Sequence, residues 1–304
     1  MLIDTHCHLG GCLSPEFIWS AVQKTGQSYL AESLDDVKAN VLFSCQEERS
    51  FDQFLNKFSI LNKIKWTPDL IELAVEDAGR LLLQNDFTLL SISLEKYLNI
   101  GWHKRECVAF LSDCFKRIIG SKVKLLLGLK YEYTKTMMKQ HASLIDDPDL
   151  YCTFAGIDFV GNERMVNLAG IDPVLENWKD RIIRLHVGET SPSGIVSNIL
   201  NLPHLNRLAH ATSADSDCRE RIRGQGIAVD MCLSSNYFTG LIDDFSNHPI
   251  KAFAAEGVHV TIGSDDPIQF NTDISKEYRI AIELGLDCEV LMRNSKSLLP
   301  THIG

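Results

Sequence analysis

Short apolar runs rich in β-branched residues recur along the 304-residue chain and alternate with stretches whose apolar residues return at helical spacing. That alternation is the βαβ pattern of a parallel sheet covered on both faces. Eight runs read as strands: Leu2–His8, Thr88–Leu94, Lys122–Leu129, Thr153–Phe159, Ile182–Val187, Arg207–His210, Ile227–Met231 and Val258–Gly263. Eight strands alternating with helices predict an α/β fold, a closed (β/α)8 TIM barrel rather than an open sheet. Roughly eighty residues separate the first two strands, far more than a plain βα unit needs. The excess predicts a helical insertion after strand 1, over Pro15–Gln84, at the C-terminal mouth of the barrel. There it serves either as a substrate lid or as packing helices.

Within that insertion Phe51, Phe54, Leu55, Phe58 and Leu61 recur at helical spacing, which predicts one buried stripe. Thr67-Pro68 reads as an N-cap followed by proline at the first helical position. Glu106–Ile119 is amphipathic and stops at Gly120, and Asp287 caps a last helix over Cys288–Asn294. No internal repeat, low-complexity tract or linker interrupts the pattern, so residues 1–304 are expected to form a single domain.

Composition narrows the function classes. The apolar fraction of 45% and charged fraction of 23% are those of a globular protein. A formal net charge of −10 disfavours nonspecific binding to nucleic-acid phosphates, so nucleic acid is not an expected partner. The nine cysteines include no CxxC pair, which argues against a zinc ribbon or a disulfide scaffold and for reduced thiols in the cytoplasm. The N-terminus, MLIDTHCHLGG, carries no signal-peptide pattern. No apolar run approaches the ~20 residues of a membrane span.

In such a barrel the C-terminal strand ends face the active site. Five polar clusters fall there. His6 and His8 sit at i and i+2 of the first strand and so point to one side. His186 ends a run interrupted only by Arg184, with Glu189 shortly after. His210 ends the sixth strand, where packing or capping is the plainer reading for a lone histidine. Asp265 and Asp266 are adjacent carboxylates before Pro267, so one of them needs a cation or a shared proton unless the pair is a solvated turn. Gly161 follows the fourth strand, and allows either a flat ligand to approach the backbone or a tight turn. Each cluster alone has an ordinary structural explanation. Together they place imidazoles and carboxylates at the ends of several strands, a donor set that suits a catalytic divalent metal such as zinc.

The stretches DTHCHLGG, FAGIDFVGNE, RLHVGE, RLAHA, VDMCLSSNYFTG, HPIKAF and VTIGSDDP, in this order, resemble the adenosine/AMP deaminase family of metal-dependent hydrolases. The resemblance implies that His6, His8, His186 and Asp265 hold one Zn2+ per chain. It further implies that Glu189 protonates a purine ring nitrogen, that His210 orients and stabilises the metal hydroxide, and that Asp266 takes its proton. Gly161 is implied to offer its backbone N–H to the substrate ring. The implied partner is a small purine-type molecule, deaminated with release of ammonia.

Three stretches depart from the family pattern: Gly10 where nucleoside-specific members carry a ribose-contacting aspartate, AHA for GHG at Ala209–Ala211, and CLSSN for CPTSN at Cys232–Asn236. Adenosine itself is therefore not the expected substrate by default: a free base, a nucleotide, a modified purine nucleoside or another amino-heterocycle is compatible with these residues. Two alternatives are another metal-dependent amidohydrolase on the same barrel and a noncatalytic ligand-binding relative. Glu189 argues against the first, since those reactions need no ring-nitrogen proton donor, and the complete set of polar residues argues against the second. Of the other histidines, His103, His141, His204, His259 and His302 lack a metal-compatible neighbour, and His248, before Pro249, reads as a loop residue or one that supports the site from outside. Cys7 is expected to point away into the barrel wall, while Tyr131 and Tyr133 either pack or stack on a base.

Overall fold

The computed structural model describes residues 2–44, 46–94, 103–133, 136, 139, 148–166, 168–190 and 193–297. Eight strands pair in sequence order, every neighbour parallel: β1 (Ile3–His8), β2 (Phe87–Ser93), β3 (Val123–Lys130), β4 (Phe154–Val160), β5 (Ile182–Val187), β6 (Arg207–His210), β7 (Ala228–Met231) and β8 (His259–Ile262). The ring is joined between its ends just past β8, where Asp265 N–H donates to His6 O at 2.8 Å and His8 N–H to Asp265 O at 2.9 Å. The expected (β/α)8 barrel is therefore the observed fold, with strand ends shifted by a residue or two. The join also brings the first and last polar clusters side by side.

Apolar side chains of the strands, among them Ile157, Ile183, Leu185 and Val187, pack with the surrounding helices in one large core. Inside the ring lies a buried ion network instead. Arg184, which interrupts the β5 apolar run, donates to both Asp158 oxygens at 2.7 Å and to Thr5 O at 2.8 Å, and Arg207 pairs with Asp230. A charged residue is tolerated there because each donor meets a carboxylate or a carbonyl.

Between β1 and β2 the insertion forms helices at Pro15–Lys24, Leu34–Val41, Phe51–Asn56 and Pro68–Leu82. The Thr67 hydroxyl accepts from Leu70 N–H ahead of Pro68, as its sequence predicts. The helix at Lys104–Ile118 ends before Gly120 at φ +73°, and Asp287 caps Cys288–Ser297. One expectation is corrected. Phe51–Leu61 is not one helix with a single buried stripe: it breaks after Asn56 and resumes as a 3-10 turn at Leu61–Lys63. Phe54 is instead drawn into a separate aromatic cluster with Phe43 and Phe270, while Leu55 remains 48% exposed. Among the described residues no helix is long and apolar enough to cross a membrane.

Candidate metal and catalytic site

The end of β1 aims two imidazoles at one point. His6 Nε2 and His8 Nε2 lie 3.0 Å apart, and Asp265 Oδ1 is 3.3 Å from the first and 3.2 Å from the second. The His186 ring at the end of β5 is centred 4.7 Å from His6 and 5.2 Å from both His8 and His210. Glu189 Oε1 lies 3.6 Å from His210 Nε2. Candidate ligand atoms within 4.8 Å of one another form the overlapping groups His6/His8/His186, His186/Glu189/His210 and His8/Asp265/Asp266. All seven polar residues singled out in the sequence thus converge. A fourth group, His6/Cys232/Asp265, adds a thiol at the end of β7 that sequence reasoning passed over because no second cysteine accompanies it.

The backbone is held in unusual conformations to achieve this. His210, Ala211 and Asp265 have φ of +64°, +50° and +62°, the left-handed region that side-chain-bearing residues avoid. Gly11 is needed for a different reason: a Cβ there would occupy the space of the Asp266 backbone and carboxylate. Gly161 has φ +97° and packs against the Glu132 carboxylate, which accepts from Asn162 N–H at 2.7 Å.

Electrostatics follows from burial and crowding. Burial, reinforced by the Arg184 charge, lowers His6 to about 3. His8 is raised to about 9, because hydrogen bonding and attraction from Asp265, with Asp266 beside it, outweigh the burial that would lower it. Asp265 is held well below the usual carboxylate range; burial would raise it, but His6, His8 and His210 prevail. Glu189 goes the other way, pushed well above its ordinary value by burial and by the charges of Asp265, Glu163 and Asp266. A carboxyl pushed in that direction keeps its proton to higher pH than a free glutamate, the direction a proton donor needs.

The residues also fit a metal. Among the described residues His186 Nε2 and His210 Nε2 are buried and have no hydrogen-bond partner, a cost that a shared cation or a reacting oxygen would remove. Imidazole and carboxylate donors are those zinc takes in catalytic sites.

Several supporting residues were not legible as such. Glu163 was only part of a turn-like cluster in the sequence; it is buried, and it accepts from Gly188 N–H at 2.5 Å and from the Thr190 N–H and hydroxyl. It therefore pins both backbone neighbours of Glu189. Tyr131 packs rather than stacks, donating its hydroxyl to His186 O at 2.7 Å. Cys7 points away from the imidazoles toward Cys12, with sulfurs 3.2 Å apart. His248 is buried beside Asn236 behind His210. His204 pairs with Glu176 at the surface, while His141 and His302 lie outside the described residues.

A cavity of about 730 Å³ opens onto His8, His186, Glu189, Asp265 and Asp266. Its lining includes Phe51, Phe54, Leu55, Phe58, Leu61 and Trp66 of the insertion, an apolar set, together with Lys130, Glu132 and Tyr133. This part of the insertion therefore lines the site, whereas Pro15–Lys24 and Pro68–Leu82 pack into the core. Gly10 faces Phe58 and Leu61.

The model of the family described as adenosine deaminase matches residues 2–297. The chain is 32% identical over 290 residues to an adenine deaminase of Sinorhizobium fredii, covering 91% of this chain and 86% of the relative. Among solved structures, Arabidopsis ADAL complexed with IMP superimposes with a TM-score of 0.84 at 20% identity, covering 97% of this chain and 91% of the other. An amidohydrolase of Burkholderia ambifaria with bound Zn gives a TM-score of 0.81 at 16% identity, covering 97% and 84%.

Proposed function

Since the chain belongs to the adenosine deaminase family, we propose that it hydrolyses the exocyclic C–N bond of an adenine-type compound, with His6, His8, His186 and Asp265 holding one zinc ion and Glu189, His210 and Asp266 as the reacting side chains. The observation that carries this reading is the buried Glu189 carboxyl set 3.6 Å from His210 Nε2, beside a cluster of imidazoles and carboxylates. Zinc, the ion of the Burkholderia neighbour, supplies Lewis acidity when bound and brings the pKa of water to about 7.

Asp266 takes the proton of the attacking water. His210 Nε2 donates a hydrogen bond to the attacking oxygen. Glu189 donates its proton to the ring nitrogen beside the carbon under attack, where negative charge would otherwise accumulate, while Gly161 N–H steadies the ring. The proton held by Asp266 then passes to the amine, which leaves as ammonia. The proton on the added oxygen returns to Glu189 as the carbonyl forms.

The substrate we propose carries an apolar group beyond the adenine ring. A 730 Å³ cavity exceeds the need of a free base, and an aromatic and aliphatic wall stands where Gly10 replaces the expected sugar-binding carboxylate. Ammonia release should be measured with zinc present for adenine, adenosine, AMP and adenosines bearing an aryl or alkylthio group at the 5′ position. The last group is expected to give the highest kcat/KM; a preference for adenine or AMP would overturn this substrate reading. Glu189→Gln is expected to lower kcat on the order of 10²–10⁴-fold with zinc content unchanged. Full activity in that variant, or no ammonia from any adenine derivative, would end the deaminase reading.

A further inference from the structure

Behind His210 runs a chain of hydrogen bonds whose direction is set by a group that can only donate. Ile250 is the first residue of the helix Ile250–Ala255, so its N–H has no acceptor within the helix. It donates instead to His248 Nδ1 at 3.1 Å. His248 Nδ1 must therefore be the bare nitrogen of its ring, and the single ring proton resides on Nε2. His248 Nε2 lies 3.0 Å from Asn236 Oδ1, and Asn236 Nδ2 lies 3.1 Å from His210 Nδ1. The oxygen of Asn236 faces His248 and its amide NH2 faces His210, an orientation imposed by the backbone N–H at the far end. His210 Nδ1 is consequently an acceptor.

We propose that Asn236 and His248 are positioning residues that fix the tautomer of His210, leaving its proton on Nε2, where it faces the reacting oxygen as a hydrogen-bond donor. The role assigned to the oxygen rests on the proposed deaminase reaction; the tautomer rests on the bonds alone. The opposite arrangement fails at its end. A proton on His210 Nδ1 would require Asn236 to turn its oxygen to His210 and its NH2 to His248. His248 would then carry its proton on Nδ1, against the Ile250 N–H.

His210, Asn236 and His248 are all buried, so water is not at hand to repair such a clash. Burial also keeps His248 neutral, with its pKa lowered to about 3, consistent with one ring proton rather than two. His210 Nε2, buried and without a hydrogen-bond partner among the described residues, is the end of the relay that remains for the reaction. The assignment divides the work within the site: an imidazole whose Nε2 already carries a proton cannot take one from water, which leaves proton abstraction to Asp266.

The test is Asn236→Asp in the zinc-loaded protein labelled with 15N-histidine. An aspartate still accepts from His248, but it can only accept from His210, so the His210 proton moves to Nδ1. Long-range 1H–15N correlations are expected to show His210 bare at Nδ1 in the wild type and protonated there in Asn236→Asp. With the wrong nitrogen protonated, kcat should fall on the order of a thousandfold, while KM stays within about threefold and zinc content is unchanged. Asn236→Gln, which keeps an amide, should recover a large part of kcat where its longer side chain reaches both rings. A wild-type His210 protonated at Nδ1, an Asn236→Asp protein with undiminished kcat, or a loss of kcat without a change of tautomer would each overturn the assignment. The wild-type spectrum decides the matter even where the variant does not fold. Failure of the wild type to deaminate any adenine derivative would strike the proposed function and leave the ring-nitrogen measurement standing.

Discussion

At the residue scale the site depends on close approaches that single side chains permit or forbid. Gly11 is such a position, since any Cβ would displace Asp266. Gly11→Ala is expected to lower kcat about a hundredfold through a displacement of Asp266 on the order of 1 Å, with a stability cost of about 1–3 kcal/mol from overpacking. Ammonia-release kinetics and thermal melting of the variant check both; unchanged kcat would show that Asp266 tolerates the shift. The need for glycine here is invisible locally, because Gly10-Gly11 reads as any turn after a strand. The metal-ligand candidates were legible for the opposite reason. The i, i+2 parity of His6 and His8 is a local property of an extended chain and survives any tertiary arrangement. Glu163 was not, because its acceptors' partners, Gly188 N–H and Thr190, lie far along the chain and carry no pattern that names them.

At the element scale the segment from Phe51 to Trp66 decides what the pocket holds. Its apolar spacing does not continue as one helix, and its apolar side chains are divided between the cavity, an aromatic cluster and the main core. Periodicity reports which side of an element is apolar, not what covers that side. Phe58→Ala removes one ring from the wall opposite Gly10. For an adenosine with an apolar 5′ substituent we expect KM to rise about tenfold, from the 1–3 kcal/mol that partial burial of such a side chain contributes. Turnover of adenine should be little changed. Steady-state kinetics on the two substrates distinguish these; an equal effect on both would mean that the ring supports the fold and not the extension.

At the scale of the whole molecule, the barrel is stitched across its interior by carboxylates that stay ionised. Burial alone would raise Asp230, but Arg207 beside it, with Arg184, holds it well below the ordinary carboxylate range. A depressed folded-state value stabilises the fold above the unfolded value of about 3.9, and that contribution is lost as pH falls toward the folded one. Asp230→Asn should therefore cost about 3–5 kcal/mol at neutral pH by leaving buried guanidinium charge uncompensated. The difference from wild type should shrink as pH falls below about 4. Denaturant melts of the pair at pH 7 and pH 3 measure it, and a pH-independent difference would contradict the ion-pair account. What the sequence by itself determined was the alternation that makes eight parallel strands, the polar residues at their ends and the order of those ends around the ring. Each follows from local periodicity and from the rule that a barrel gathers its strand ends on one face. Only the tertiary structure decided that Arg184 is neutralised by Asp158 from another strand, that Asp266 rests on Gly11, and that His248, locally a loop residue before proline, orders His210 through Asn236. The first is set by the register of neighbouring strands β4 and β5, the second arises where the last strand closes on the first, and the third where a loop folds back, so each joins groups that no local pattern pairs.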